Sequence, residues 1–266
     1  MSHAQTVHHV DSESGLLPAY ELVPHTDVDA DDEERGGDHG VGLDTTDRGS
    51  MAGSGKGIDR DGVKREGRKG DGVALLGAAA STIILLLASW LGILTNDPTS
   101  FGWFAFHPLA QSTALAVFTY GILTLQPTSQ PPTKAAGLAR HQIAMFAFGT
   151  PTLLFGSFAV WYNKVFGLVC LLWLTVQVGV GAGSVWYGGK AFGGGAKAKA
   201  IWKYHRLSGY LLFPLMLFTA HLGGVWSHWS NTYLTTSVRF LAFILAPVVI
   251  LVSVYSRIRP SKMQFF

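Results

Sequence analysis

Beyond residue 71 the chain alternates long apolar runs with short polar connections. The runs cover residues 72–94, 100–125, 141–162, 165–187, 204–227 and 237–256. Each is close to the ~20 residues that carry an α-helix across ~30 Å of hydrocarbon. They are apolar all the way round instead of striped at the 3.6-residue period, which points to immersion in lipid and not to a water-facing bundle. Gly149, Pro151, Pro214 and Pro247 fall inside them; membrane helices tolerate both residue types, because neighbouring helices satisfy the freed backbone groups. The pattern predicts an all-α fold: a six-helix transmembrane bundle over 72–258, with a short cytosolic tail over 259–266.

Residues 1–71 break the pattern. They are polar, with an acidic cluster at Asp29, Asp31, Asp32, Glu33 and Glu34 and almost no long apolar run. Such a segment buries too little apolar surface to offset chain entropy, so a disordered cytosolic tail is expected. Its histidines (His3, His8, His9, His25 and His39) are irregularly spaced and read as solvated tail residues, with metal binding as the alternative. No apolar core falls in the first 30 residues, so no cleavable signal peptide is expected.

Charge orients the spans. Lys56, Arg60, Lys64, Arg65, Arg68 and Lys69 precede the first; Lys134 and Arg140 precede the third. Lys190, Lys197, Lys199, Lys203 and Arg206 precede or open the fifth, and Arg257, Arg259 and Lys262 follow the sixth. With six crossings all of these share one side, and only Lys164 and Arg239 lie on the other. The excess of basic residues marks the cytosolic side and places both termini there. Trp and Tyr near the span ends, such as Trp103, Trp186, Trp202 and Trp226, read as an interfacial belt.

The overall net charge of +3 averages two unlike segments, and no basic, aromatic-interleaved patch suggests nucleic acid. The single cysteine, Cys170, sits in an apolar run, so an intrachain disulfide and a cysteine-based metal cluster are excluded. The glycine-rich run 188–195 lacks the Gly-Lys-Ser/Thr ending of a phosphate loop and reads as a flexible cytosolic loop.

Within the spans, carboxylates are almost absent but histidines are not. Ionisable groups at membrane depth are costly and usually functional. His107 lies in the second run, His141 opens the third, and His205 opens the fifth, with His221 deeper and His228 at its far end. Neutral imidazole is the natural axial ligand of haem iron. His141 and His205 share a depth at the cytosolic face and are therefore candidates to clamp a porphyrin. His107 lies near the opposite face, which suits a second haem. Gly209, one turn beyond His205, and Gly149, two turns beyond His141, leave room for a flat macrocycle or simply permit close helix packing.

The residues around these histidines carry a resemblance. Phe106-His107-Pro108, Arg140-His141, Asn163-Lys164, Gln177 with Gly179, and Lys203-Tyr204-His205-Arg206-Leu207-Ser208-Gly209-Tyr210 are similar to motifs of the eukaryotic cytochrome b561 family, over about 72–258. The resemblance implies two b-type haems, each held by two histidines from alternate helices. It assigns His141 and His205 to the cytosolic haem iron and His107 to the outer one. It further implies oxidation of a cytosolic reductant, often ascorbate, and reduction of an acceptor such as monodehydroascorbate or ferric iron. Arg140, Lys203 and Arg206 flank the cytosolic pair, where they would attract an anionic reductant or pair with haem propionates; as plain topology charges they need no ligand.

One departure from the family matters. It carries a stretch resembling His-Phe-x-Ser-x-His-Gly before its fourth span, whereas here Lys164 runs straight into Val165-Phe166-Gly167 and the fourth run holds no histidine. His221 is the substitute to weigh. It lies sixteen residues beyond His205, ~24 Å along the helix and so near the depth of His107, but ~160° around it. A polar contact to a neighbouring backbone is the competing role. One haem or two is therefore left open, as are the membrane (vacuolar or other endomembrane, or plasma membrane) and the oligomeric state, a homodimer included. Besides a haem-dependent oxidoreductase, a degenerate scaffold binding one haem or none is expected as the alternative. A solute transporter, which would want carboxylates or broken helices at mid-membrane, ranks last because the spans lack intramembrane carboxylates.

Overall fold

The computed structural model describes residues 67–126, 130–159 and 165–259. The N-terminal tail with its histidines, Asn163-Lys164 and the connection from the third run to the fourth lie outside the described residues. What is described is helical. The elements are α1 (Asp71–Leu94), a 3-10 segment (Pro98–Ala105) leading into α2 (Phe106–Leu125), α3 (Pro131–Gln142), a π-helical segment (Ile143–Gly149) and α4 (Thr150–Phe158). They continue with α5 (Val165–Val185), a second 3-10 segment (Trp186–Phe192), α6 (Gly195–Trp226), α7 (His228–Tyr233), α8 (Thr236–Phe240), a second π segment (Leu241–Leu245) and α9 (Ala246–Ser256).

Five helical stretches are long and apolar enough to cross a membrane: Asp71–Leu94, Pro98–Leu125, Val165–Phe192, Gly195–Trp226 and Thr236–Ser256. The protein is thus all-helical with the helices of an integral membrane protein. The expected third span differs in kind. Residues 131–158 comprise helical pieces of 12, 7 and 9 residues, with His141, Gln142, Thr150 and Thr152 diluting the apolar character. The backbone stays in the right-handed helical region through both junctions, at Gln142 (φ −61°, ψ −47°) and Gly149 (φ −62°, ψ −54°), so the pieces form one rod.

Two prolines stand where the helical ladder changes, whereas Pro214 lies inside α6 without interrupting it. Pro151 and Pro247 each sit in the first turn of the α-helix that follows a π segment. A proline lacks an N–H and its ring clashes with the carbonyl four residues back. A π segment takes up that mismatch without ending the helix.

Neighbouring helices run antiparallel. The 131–158 rod lies along α2, with His141 opposite Gly121 and Gly156 opposite His107. α2 packs on α1, and α1 on α9. α9 and its preceding π segment pack on α6, which pairs with α5 through Cys170 and Thr219 at one end and Ser184 and Trp202 at the other. The series closes where the ring of Phe146 lies 4.6 Å from that of Trp186.

The inward faces bury Leu85, Leu115, Phe118, Leu174, Phe213, Leu217, Phe243 and Ile250. Close approach requires glycine at Gly149, where a Cβ would fall 2.4 Å from the Phe118 ring, and at Gly224, where it would fall 1.9 Å from the Phe243 ring. The outward faces carry large apolar side chains such as Leu76, Leu87, Val176 and Val252, all at least half exposed. On a water-soluble protein so much exposed apolar surface would drive association; here lipid covers it.

One end of the bundle is stitched by polar groups. Arg257, only 6% exposed, donates from its guanidinium to the carbonyls of Asp71 (2.7 Å) and Leu123 (3.4 Å). Burial lowers its pKa, and Asp71 opposes that shift. Arg68 donates to the Ser256 carbonyl (2.9 Å), Gln126 to the Val254 carbonyl (2.8 Å), and the Tyr255 hydroxyl to the Tyr210 carbonyl. The start of α1 and the ends of α2 and α9 therefore meet at one face. The glycine-rich connector at the same end forms the second 3-10 segment. Tyr187, Gly188 and Gly189 occupy the left-handed region (φ 54°, 66° and 71°), and Gly189 fits because a Cβ there would lie 2.3 Å from Ala198.

Candidate functional site

His141 and His205 lie toward the same, stitched end of the bundle, His141 against Gly121 of α2 and His205 against Gly181 of α5. His141 leaves the last turn of α3 toward α2. Its Nδ1–H donates to the Gly121 carbonyl at 3.1 Å. That hydrogen bond selects the tautomer in which Nε2 keeps a lone pair, the arrangement in which a histidine serves as a metal ligand.

His205 is held differently. Its backbone carbonyl accepts from Gln177 Nε2 of α5 at 2.6 Å. Its ring packs over Gly181, where a Cβ would lie 2.8 Å from Cε1. Its Nδ1 is buried without a hydrogen-bond partner. A buried polar atom left unpaired is costly. Trp173 Nε1 donates to Ser208 Oγ at 2.7 Å, fixing the register of α5 against α6 beside the site.

The basic residues divide. Lys203 places its ammonium 5.2 Å from the centre of the Tyr204 ring, and Arg206 acts electrostatically on His205. Arg140 is exposed and lines a separate groove with Val117, Tyr120, Ile143, Ala144 and Phe148.

The other two histidines each bond to a backbone carbonyl of a neighbouring helix. His107 Nδ1–H donates to the Gly156 carbonyl of α4 at 2.8 Å, and the ring has Phe104 as a neighbour at 6.2 Å. His221 Nδ1–H donates to the Phe243 carbonyl at 2.7 Å and stacks on Phe218 at 6.0 Å. Each imidazole is directed to a different helix, and α5 supplies no histidine. The glycines also take the packing role: Gly149 is covered by Phe118 and Gly209 by the Gln177 amide.

His141 and His205 fit a bis-histidine haem by donor type and by the His205 ring nitrogen that has no partner among the described residues. His107 and His221 carry the same Nδ1–H to carbonyl bond as His141, which leaves Nε2 its lone pair, and they are held against different helices. Among the described residues no group of three or more His, Cys, Asp or Glu side chains converges, so a cage-type metal site has no candidate there; an axial pair needs only two donors. The brace from Gln177 and the Gly181 floor were not assigned roles from sequence, since neither an amide nor a small residue in an apolar run announces a site.

Comparison with known proteins adds no relative: no protein-family model, characterised protein or solved structure matches the chain.

Proposed function

We propose that this chain is a six-span membrane electron-transfer protein. In this reading it holds b-type haem between His141 and His205 at its cytosolic end and takes electrons from an anionic reductant such as ascorbate, for an acceptor such as monodehydroascorbate or ferric iron. The observation that carries the reading is the buried ring nitrogen of His205, unpartnered among the described residues, at the same end as His141. The resemblance of Lys203–Tyr210, Phe106–Pro108 and Gln177 to cytochrome b561 motifs points the same way, and Gln177 braces the His205 backbone.

Parity supports the sixth crossing. α1 and α6 both run antiparallel to α9, and α2 and α5 run antiparallel to α1 and α6 respectively. The end of α2 and the start of α5 therefore lie on opposite faces, and residues 131–158 join them. The basic flanks then assign the stitched end to the cytosol.

A bound haem supplies one-electron transfer between ferric and ferrous iron. The chain's own residues orient and attract. The Gly121 carbonyl holds the His141 tautomer, Gln177 and Gly181 position His205, and Lys203 and Arg206 draw an anionic reductant toward the site.

The divergence of His107 and His221 favours a second reading, a scaffold with one haem or none and no path across the membrane. The test is the haem-to-protein ratio of the purified, detergent-solubilised chain, with an ascorbate-reduced minus oxidised spectrum. One ascorbate-reducible haem supports the His141/His205 site, and two would add an outer ligand set. Absence of haem after supplementation during expression would leave the scaffold.

A further inference from the structure

A groove of about 330 Å3 runs between α2 and the π segment. Its floor is Ala144, which is buried, and its walls are Val117 and Tyr120 on one side and Ile143 and Phe148 on the other. Tyr120, Ile143 and Phe148 are each more than half exposed, so the groove opens outward along helices whose surroundings are lipid. Its lining is apolar apart from one end, where Arg140 stands exposed. Neither 106–125 nor 131–158 contains an Asp or Glu, so these two helices offer the guanidinium no carboxylate. An apolar trough with one cation at its end matches an amphiphile with an apolar chain and an anionic head.

We propose that this groove binds an acyl chain of an anionic phospholipid whose phosphate sits on Arg140. The π segment contributes to the shape. The two helices meet closely at Gly121, where a Cβ would lie 2.8 Å from Met145 and 3.1 Å from Ala144, and the larger Ile143 and Phe148 stand out as a rim. Guanidinium suits phosphate because its N–H groups match two oxygens at once. The assignment gives Arg140 a partner other than a soluble reductant and does not depend on haem. A second groove, about 360 Å3, is lined by Trp103, Phe155, Phe158 and Ala159. Among the described residues no cation lines it.

The test is native mass spectrometry of the full chain in neutral detergent, with phosphatidylserine and phosphatidylcholine supplied at equal mole fraction. A single basic residue near a lipid headgroup is worth ~1 kcal/mol, so about fivefold preferential retention of phosphatidylserine is expected. R140Q should abolish the preference, R140K should keep it, and F148A should weaken retention of both lipids. Equal retention by the wild-type chain, or an unchanged preference in R140Q, would overturn the proposal. Displacement of phosphatidylserine by millimolar inorganic phosphate, with phosphatidylcholine retained, would also overturn it by making Arg140 a site for soluble anions.

Discussion

At the two ends of the bundle three of the four candidate histidines make the same bond to a backbone carbonyl, and the fourth, His205, does not. At the stitched end, His141 gives its Nδ1–H to Gly121, and the Nδ1 of His205 finds no partner among the described residues. At the other end, His107 and His221 each donate to a backbone carbonyl, on α4 and on the π segment before α9 respectively, and are directed to different helices. A histidine at membrane depth is therefore not a site by itself. One end leaves a ring nitrogen unpaired, a cost that a ligand would remove. The other has both of its imidazoles pinning helix to helix, as His141 does.

The largest effect follows from removing a member of the proposed pair. His205→Ala should lose haem while still inserting into the membrane, and His141→Ala should do the same. His107→Ala should leave haem content unchanged, as should His221→Ala. The measurement is haem per protein across the four variants; full haem in His205→Ala, or equal losses in all four, would erase the distinction between the ends.

The next effect tests the floor beneath His205. Gly181→Val would place a branched side chain where even a Cβ lies 2.8 Å from the ring. Overpacking of this kind costs ~1–3 kcal/mol, and here the expected consequence is weakened haem retention. Gly224→Ala forces a comparable clash against Phe243, and should lower thermal stability while sparing the haem spectrum of whatever folds. If both variants gave the same loss of haem at matched stability, Gly181 would be a packing glycine like the other.

His221→Ala comes next. It leaves the Phe243 carbonyl without its donor, a loss of ~1–3 kcal/mol for a buried group. Thermal unfolding should register it, and His221→Asn should recover part, since an amide also donates. A change in the reduced-minus-oxidised spectrum instead would return His221 to the candidate ligands.

How much of this was legible in the sequence differs by level. The spans were readable because lipid demands all-round apolar helices of fixed length, a property of composition alone. The third run was read as a span like the others, but its division into α, π and α pieces ahead of Pro151 was not visible in the apolar pattern. Depth placed His141 and His205 toward the same end, and helical phase already set His221 against His205. Partners were not readable: whether Gly149 and Gly209 leave space or receive Phe118 and Gln177 depends on the facing helix. The burial of Arg257 was hidden as well, since its acceptors are backbone carbonyls far away in the chain.

The smallest expected effect concerns the charges around the pair. Arg206 acts electrostatically on His205, whereas Arg140 lines the α2 groove. If Arg206 draws an anionic reductant, Arg206→Ala should raise the ascorbate concentration for half-reduction by about fivefold, since a part-exposed charge is worth on the order of 1 kcal/mol. The haem spectrum should not change, and the difference should shrink as salt rises, because exposed charges are screened beyond ~10 Å at 0.1 M ionic strength. Arg140→Gln should leave the ascorbate dependence close to wild type, its role being at the lipid groove. Equal effects from both substitutions would mean that reduction senses only the general positive charge of that face, and that neither guanidinium belongs to a reductant site.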